Sequence, residues 1–412
     1  MPARWVFSKS QYAFSIINAS PRIKKTTGTK KMSKALNAEM LYFMFESANM
    51  HRWNDHLRPL DLTEQDKQSH KAAIAWVIAK FEEDEGRDID WRTLIEHNIF
   101  ELISRLVLTD LKPQLYHRVV KEKFDQVNEY VIGEFDRNIP DSDPEFRKRL
   151  SDYLRSKRDS PEDRIIDAAH YLATKWEFDL IYEMNKGMFH ADNTKKAIEE
   201  QIARHEKLVG VKKIMEGGGI KGFVDLIGQL RFQQRWARTP RIPETTVLGH
   251  SLMVANSIFL HDLDAGATDR QVYNDYYTGL FHDLPEVLTK DVISPVKNNV
   301  SGLAEMLESY EREQIESKLM PLIPESWRGE MEFMIYEPFS DSDDGRYGIR
   351  AGRDIKSCDL LAAYIEAHVS ASYGVTSQSL TEGKEELLTR LVNTGDGIGA
   401  RELVVRLGRI KI

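Results

Sequence analysis

Gln271-Val272-Tyr273-Asn274-Asp275-Tyr276-Tyr277-Thr278-Gly279-Leu280-Phe281-His282-Asp283 decides how this 412-residue chain is read. Apolar and aromatic side chains return every three to four positions, the period of a helix with one face in a core. The run then closes on an imidazole followed at once by a carboxylate, two polar groups that packing alone does not require. The same helical spacing recurs in Lys71–Phe81, Trp91–Val107, Ser251–His261 and Ile355–Val369, with no convincing strand alternation anywhere. Turn residues separate the periodic runs: Arg58-Pro59, Asn138-Ile139-Pro140, Gly217-Gly218-Gly219 and Ser340–Gly348. The pattern predicts an all-α protein.

Composition narrows the function classes. A 41% apolar and 30% charged chain is that of a globular protein large enough for two cores. No apolar run is long enough to span a bilayer, so no membrane partner is expected. The net charge of −8 argues against broad attraction to nucleic acid and leaves room for a small anion held by one or two arginines. The single cysteine, Cys358, excludes an intramolecular disulfide and a thiolate zinc cluster, and it reads as a core residue in a cytoplasmic protein. Residues 1–38 carry eight basic side chains and no acid, and read as a poorly ordered basic segment.

Three consecutive glycines interrupt a charged helical stretch and mark a boundary. They divide the chain into a domain at 39–205, a linker at 206–220, a second domain at 221–395 and a C-terminal tail at 396–412. The two halves pair in order. Arg52-Trp53 answers to Arg235-Trp236 at an offset of 183, His70 to His250 at 180, His97-Asn98 with Glu101 to His282-Asp283 with Glu286 at 185, and Asp167 to Asp359 at 192. A tandem repeat of two helical domains is expected, packed as a pseudo-dimer or assembled into a homodimer.

His250 opens one apolar helix, His282-Asp283 closes another, and Asp359 sits among Ala and Leu in a third, where an unpaired carboxylate is costly. Two imidazoles and two carboxylates form a mixed nitrogen and oxygen donor set suited to one divalent ion, of Co, Mn, Zn, Mg or Fe. The surrounding sequence then becomes specific. Arg235-Trp236, followed by Pro243-Glu244-Thr245-Thr246-Val247-Leu248-Gly249-His250-Ser251-Leu252, and His282-Asp283-Leu284-Pro285-Glu286-Val287-Leu288-Thr289-Lys290-Asp291-Val292-Ile293-Ser294-Pro295-Val296-Lys297 resemble the HD-domain superfamily. More narrowly, residues 226–366 resemble the bacterial HD-type 5′-deoxynucleotidases.

The resemblance implies two tandem HD-type helical domains and a metal-dependent phosphohydrolase acting on a small nucleotide, in particular a deoxyribonucleoside 5′-monophosphate. It implies His250, His282, Asp283 and Asp359 as metal ligands, Glu286 as the residue handling protons of the attacking water, and Asp291 as the one steering water or the leaving 5′-oxygen. Arg235, Thr289 and Lys297 would reach the phosphate, and Trp236 would pack against the sugar. Gly249 departs from the pattern, since many relatives carry an acidic residue there.

The first half keeps His70, His97, Glu101, Asp110 and Asp167 but has Asn98 where the signature has Asp, and reads as a degenerate copy. Two rival functions remain open. The same ligand set serves hydrolysis of a (deoxy)nucleoside triphosphate or a cyclic nucleotide, and Asn98 with the basic arm suits a non-catalytic nucleotide-responsive regulator.

Overall fold

The computed structural model describes residues 34–109, 119, 122–289 and 302–410. The described chain is all-α, as the spacing predicts, with two short antiparallel ribbons: His51–Arg52 beside Leu62–Thr63, and Ser342–Asp344 beside Gly348–Arg350.

Capping fixes where the main helices begin. The Thr63 hydroxyl accepts the Asp66 N–H at 3.2 Å and starts Glu64–Asp84, and the Thr246 hydroxyl accepts the Gly249 N–H at 3.1 Å and starts Val247–Ala265. Asp90 and Thr268 cap Trp91–Leu108 and Asp269–Phe281 in the same way. Ser160 and Asp163 form a reciprocal capping box at the head of Pro161–Asn185. Each cap satisfies an N–H that the helix itself leaves unpaired, worth about 1 kcal/mol.

The halves share one continuous core rather than two. Helix Glu64–Asp84 lies against Val247–Ala265, and the fully buried Trp76 crosses between the halves. Its ring meets Phe281 edge-on at 5.4 Å and Trp327 at 5.5 Å, and its indole N–H donates to the Tyr273 hydroxyl at 3.0 Å.

One local arrangement occurs twice. In the first half the Glu64 N–H donates to the Met50 carbonyl at 2.8 Å, and His56 N–H to Trp53 at 3.0 Å; in the second, Val247 N–H donates to Gln233 at 3.0 Å, and Thr239 N–H to Trp236 at 2.7 Å. Trp53 and Trp236 both hold a positive φ, 54° and 57°, which non-glycine residues rarely adopt. All these pairs stand at the offset of 183 first seen in Arg-Trp.

Two expected connecting segments are packed structure instead. Within 206–220 lies the helix Val209–Glu216, which buries Val211 and Ile214, and the break falls at Gly217 before Gly218–Gln229. Within 396–412, Ala400–Leu407 buries Leu403, Val404 and Leu407. Both are short and strongly one-sided, so their charged outer faces masked the apolar stripe in the sequence. Of the basic N-terminal segment, residues 1–33 lie outside the described residues. Lys34 to Asn37 are placed: the Ala35 and Leu36 N–H groups donate to Asp264, and both side chains are buried.

A buried acid pair makes a prediction. Both Asp262 carboxylate oxygens are buried without a hydrogen bond. Burial and the neighbouring Asp275 hold the Asp262 carboxyl well above its ordinary range, and burial pushes Asp275 up to about 7. The folded chain therefore keeps protons that the unfolded chain releases near pH 4, so this pair lowers stability as pH rises from about 4 to 7. Asp262→Asn is expected to raise the melting temperature more at pH 8 than at pH 5, measured by calorimetry. An equal change at both pH values, or a loss at pH 8, would contradict the assignment.

Candidate metal centre

Three helices deliver the donors. His250 lies one turn inside the Thr246 cap, His282 and Asp283 follow Phe281 at the end of Asp269–Phe281, and Asp359 projects from Gly352–Ser372. The His282 Nδ1–H donates to the Gly279 carbonyl at 2.8 Å, which fixes the tautomer and leaves Nε2 as the lone-pair nitrogen. That Nε2 is buried, makes no hydrogen bond, and lies 3.2 Å from Asp283 Oδ1 and 4.0 Å from Asp359 Oδ1. His250 Nε2 meets Asp359 Oδ1 at 2.9 Å. One donor atom each from His250, His282 and Asp283 fall within 4.8 Å of one another, and Asp359 adjoins the two imidazoles. A buried imidazole nitrogen with no partner, facing two carboxylates, fits a divalent ion, and two nitrogens with oxygens suit a borderline metal.

The charges are arranged to keep the two carboxylates ionised. Burial opposes ionisation of Asp283, but His282 and Arg235 hold its carboxyl down at about 2. Burial likewise opposes ionisation of Asp359, which is nevertheless held well below its usual range by the His250 hydrogen bond and by Lys356. The Lys356 ammonium donates to Asp359 Oδ2 at 2.7 Å and rests over the Phe339 ring at 4.0 Å, whose centroid lies 5.6 Å from that of His282.

Behind the donors lies Glu366, which sequence reasoning missed. It is 2% exposed, yet burial is overcome by Arg235 and Arg241, which hold its carboxyl below the ordinary range. Its Oε2 accepts from Arg235 Nε at 3.3 Å and Trp236 Nε1 at 2.8 Å; its Oε1 accepts from the Thr245 hydroxyl at 2.8 Å and lies 3.5 Å from His250 Nδ1. One carboxylate thus anchors the Arg-Trp pair and stands beside the first histidine. Its signal was available as a Glu one helical repeat beyond Asp359 in an otherwise apolar run.

An HD-domain family model matches residues 227–388, the span that contains every one of these groups. The match covers less than half of the chain. The chain is 28% identical over 165 residues to a 5′-deoxynucleotidase of Klebsiella pneumoniae, covering 39% of this chain and 78% of that protein. It is 22% identical over 176 residues to a 5′-deoxynucleotidase of Pectobacterium atrosepticum, covering 41% and 83%. A crystal structure of an HD-domain phosphohydrolase from Listeria innocua aligns with a TM-score of 0.38 at 18% identity, covering 46% of this chain and 88% of that one.

Around the HD centre, the other expected residues fall in different places. Arg235 stands at the rim, its Nη1 3.7 Å from Asp283 Oδ2. The Trp236 ring packs on the helix Gln378–Thr394, where a Cβ on Gly383 would come within 2.6 Å of it. Glu286 and Thr289 begin and end a short helix directly after the His-Asp pair, with the Thr289 hydroxyl donating to the Pro285 carbonyl at 3.3 Å. Asp291 and Lys297 lie outside the described residues. The missing side chain at Gly249 has a packing reason: a Cβ there would sit 2.7 Å from Gln65 Oε1 and 2.9 Å from Asp66 Oδ1, so the first half fills that space with its own acid.

The proposed degenerate site in the first half does not come together. His70 is a core residue whose Nε2–H donates to the Val224 carbonyl at 3.0 Å. His97 pairs with Asp163 at 2.8 Å, Asn98 donates to Leu94, Glu101 binds Lys71 at 2.7 Å, and Asp167 faces His205 at 3.0 Å. Asp110 lies outside the described residues. Matching His to His gave shifting offsets, whereas the backbone repeat holds 183 through the first helix and places other residues in register.

Because Glu366 holds His250, Arg235 and Trp236 together, Glu366→Gln should weaken divalent-ion binding by about tenfold or more. Isothermal titration with Mn²⁺ against the parent chain measures it, and unaltered affinity would count against this role.

Proposed function

We propose that the HD domain hydrolyses the phosphate ester of a small nucleotide, in the first instance a deoxyribonucleoside 5′-monophosphate, releasing nucleoside and phosphate. The observation that carries the reading is the unpartnered His282 Nε2 facing Asp283 and Asp359 beside His250. The HD-domain match supports hydrolase chemistry in general, and the two relatives named 5′-deoxynucleotidase support the narrower substrate.

A divalent ion held by His250, His282, Asp283 and Asp359 would supply Lewis acidity to a phosphoryl oxygen and acidify water. The chain's own residues supply position and protons. Arg235, oriented by Glu366, presents a guanidinium at the rim for the phosphate oxygens. Glu286 takes the proton from the attacking water and passes it to the leaving 5′-oxygen, which Asp291 guides and which departs as the hydroxyl of the nucleoside. Thr289 and Lys297 add contacts to the phosphate. Trp236, held by its indole N–H on Glu366, stands where the sugar would pass and where a ribose 2′-hydroxyl would be disfavoured. The bond from phosphorus to the 5′-oxygen breaks as the bond to the water oxygen forms.

The first half is read as a second copy of the same helical plan that acts as a structural partner, giving a pseudo-dimer within one chain. The repeated hydrogen bonds around Trp53 and Trp236 support that reading.

Full-length protein reconstituted with Mn²⁺, Co²⁺ or Zn²⁺ is expected to release phosphate from deoxyribonucleoside 5′-monophosphates faster than from ribonucleotides, triphosphates or cyclic nucleotides. Asp283→Ala should lower that rate by roughly a thousandfold. An unaltered rate in that variant would remove the assigned centre, and preferred cleavage of triphosphates would replace the substrate.

A further inference from the structure

The framework around Glu366 has a counterpart around Glu177. Arg52 Nε donates to Glu177 Oε2 at 2.8 Å and Trp53 Nε1 to the same oxygen at 3.0 Å, the arrangement that Arg235 and Trp236 make with Glu366. This frame fixes which first-half residues stand at the metal-ligand positions. Lys67 follows its cap Thr63 as His250 follows Thr246. Ser104 and Arg105 follow the cap Asp90 as His282 and Asp283 follow Thr268. His170 precedes Glu177 as Asp359 precedes Glu366. The contacts agree, since Lys67 Nζ lies 2.6 Å from His170 Nδ1 where His250 Nε2 lies 2.9 Å from Asp359 Oδ1.

Two of the four positions have therefore become cations. Lys67 and Lys71 are wholly buried, and Arg105 reaches Glu64 at 3.6 Å. Arg52, Lys67, Lys71 and Arg105 face the carboxylates of Glu64, Glu101 and Glu177, and Glu177 is shared with Arg231 at 3.1 Å. Arg158 adds to the field on Glu101, and the next carboxylate, Asp66, is engaged by Thr246. The HD centre sets Asp283, Asp359 and Glu366 against an equal number of cations, Arg235, Arg241 and Lys356; here, among the described residues, the cations outnumber the carboxylates. Burial depresses the Lys67 ammonium well below its ordinary range, opposed by Glu64 and reinforced by Arg52, Lys71 and Arg105. Burial and the same cations keep the His170 imidazole neutral. Such an excess of positive charge among the described residues is costly to bury and favours the arrival of an anion. The position is open to solvent to the same degree as the HD centre: the side chains of Arg52, Arg105 and Glu101 are 12%, 16% and 23% exposed, those of Arg235, Asp283 and Asp359 20%, 16% and 14%.

We infer that the first half carries a metal-independent anion site, in which Lys67, Lys71 and Arg105 bind the phosphate of a nucleoside monophosphate where the second half gathers metal ligands. A bound anion restores the proton that burial disfavours on Lys67, whose ammonium then takes the place of the divalent charge, and the site binds without hydrolysing because Ser104 and Arg105 stand where the second half has its His-Asp pair. Only the choice of a nucleotide rests on the function proposed for the HD domain, through the shared Arg-Trp frame. The anion site itself stands on the cation cluster.

The test is calorimetric titration of the full-length Asp283→Ala chain in excess EDTA. A deoxyribonucleoside 5′-monophosphate is the titrant, with inorganic phosphate in a parallel arm. One nucleotide is expected to bind per chain despite the chelator. Adding Lys67→Met or Arg105→Met should weaken it by about tenfold or more, with the melting curve showing that each variant folds. Loss of binding in EDTA, or undiminished binding in both variants, overturns the site. Equal affinity for inorganic phosphate overturns the nucleotide as its ligand. Since no turnover is read, a failed hydrolysis assay leaves this result independent.

Discussion

A carboxylate buried among apolar helices has to be compensated, and the HD half of this chain is organised around that requirement at Glu366. Four donors or near neighbours surround it: Arg235, Trp236, Thr245 and His250. Stripped of its cations, such a group would cost several kcal/mol. Held by them, it ties down the loop that enters Val247–Ala265, lies beside the ring of the first histidine, and aims the guanidinium at the rim. The metal donors inherit their geometry from this one pairing and from the His282 hydrogen bond to Gly279.

The same solution appears around Glu177, with Arg52 and Trp53, and there it frames lysine and arginine in place of metal donors. One scaffold thus supports two kinds of charge recognition, depending on whether His and Asp or Lys and Arg occupy the central positions. The two frames meet across helices Glu64–Asp84 and Val247–Ala265, where Asp66 occupies the space left by Gly249 and hydrogen-bonds Thr246. The first half is consequently part of the HD centre's own surroundings, and its packing bears on the position of His250.

Much of this was legible before any coordinates. Helical periodicity gave the all-α class, and the mixed donor set of His250, His282, Asp283 and Asp359 is brought close in space because each residue sits at or near the end of a helix or on its core-facing side. Glu366 was passed over because a single acid in a helix usually faces solvent, and only its partners reveal that it is buried. The first half was misread for a different reason. His70 looks like a ligand by type, but it stands three residues past Lys67, about 60° round the helix and most of a turn along it. An offset of 180 in place of 183 points it at Val224 and leaves Lys67 unnoticed. Arg-Trp, the pair least tolerant of change in its positive-φ turn, carried the true register.

The account stands or falls on where a divalent ion goes. Crystals of the full-length protein soaked in Mn²⁺, measured for anomalous scattering, should show one strong peak per chain, within bonding distance of His250, His282 and Asp283, and none beside Lys67 and His170. A peak between Lys67 and His170, or none among the three donors of the HD domain, would contradict it.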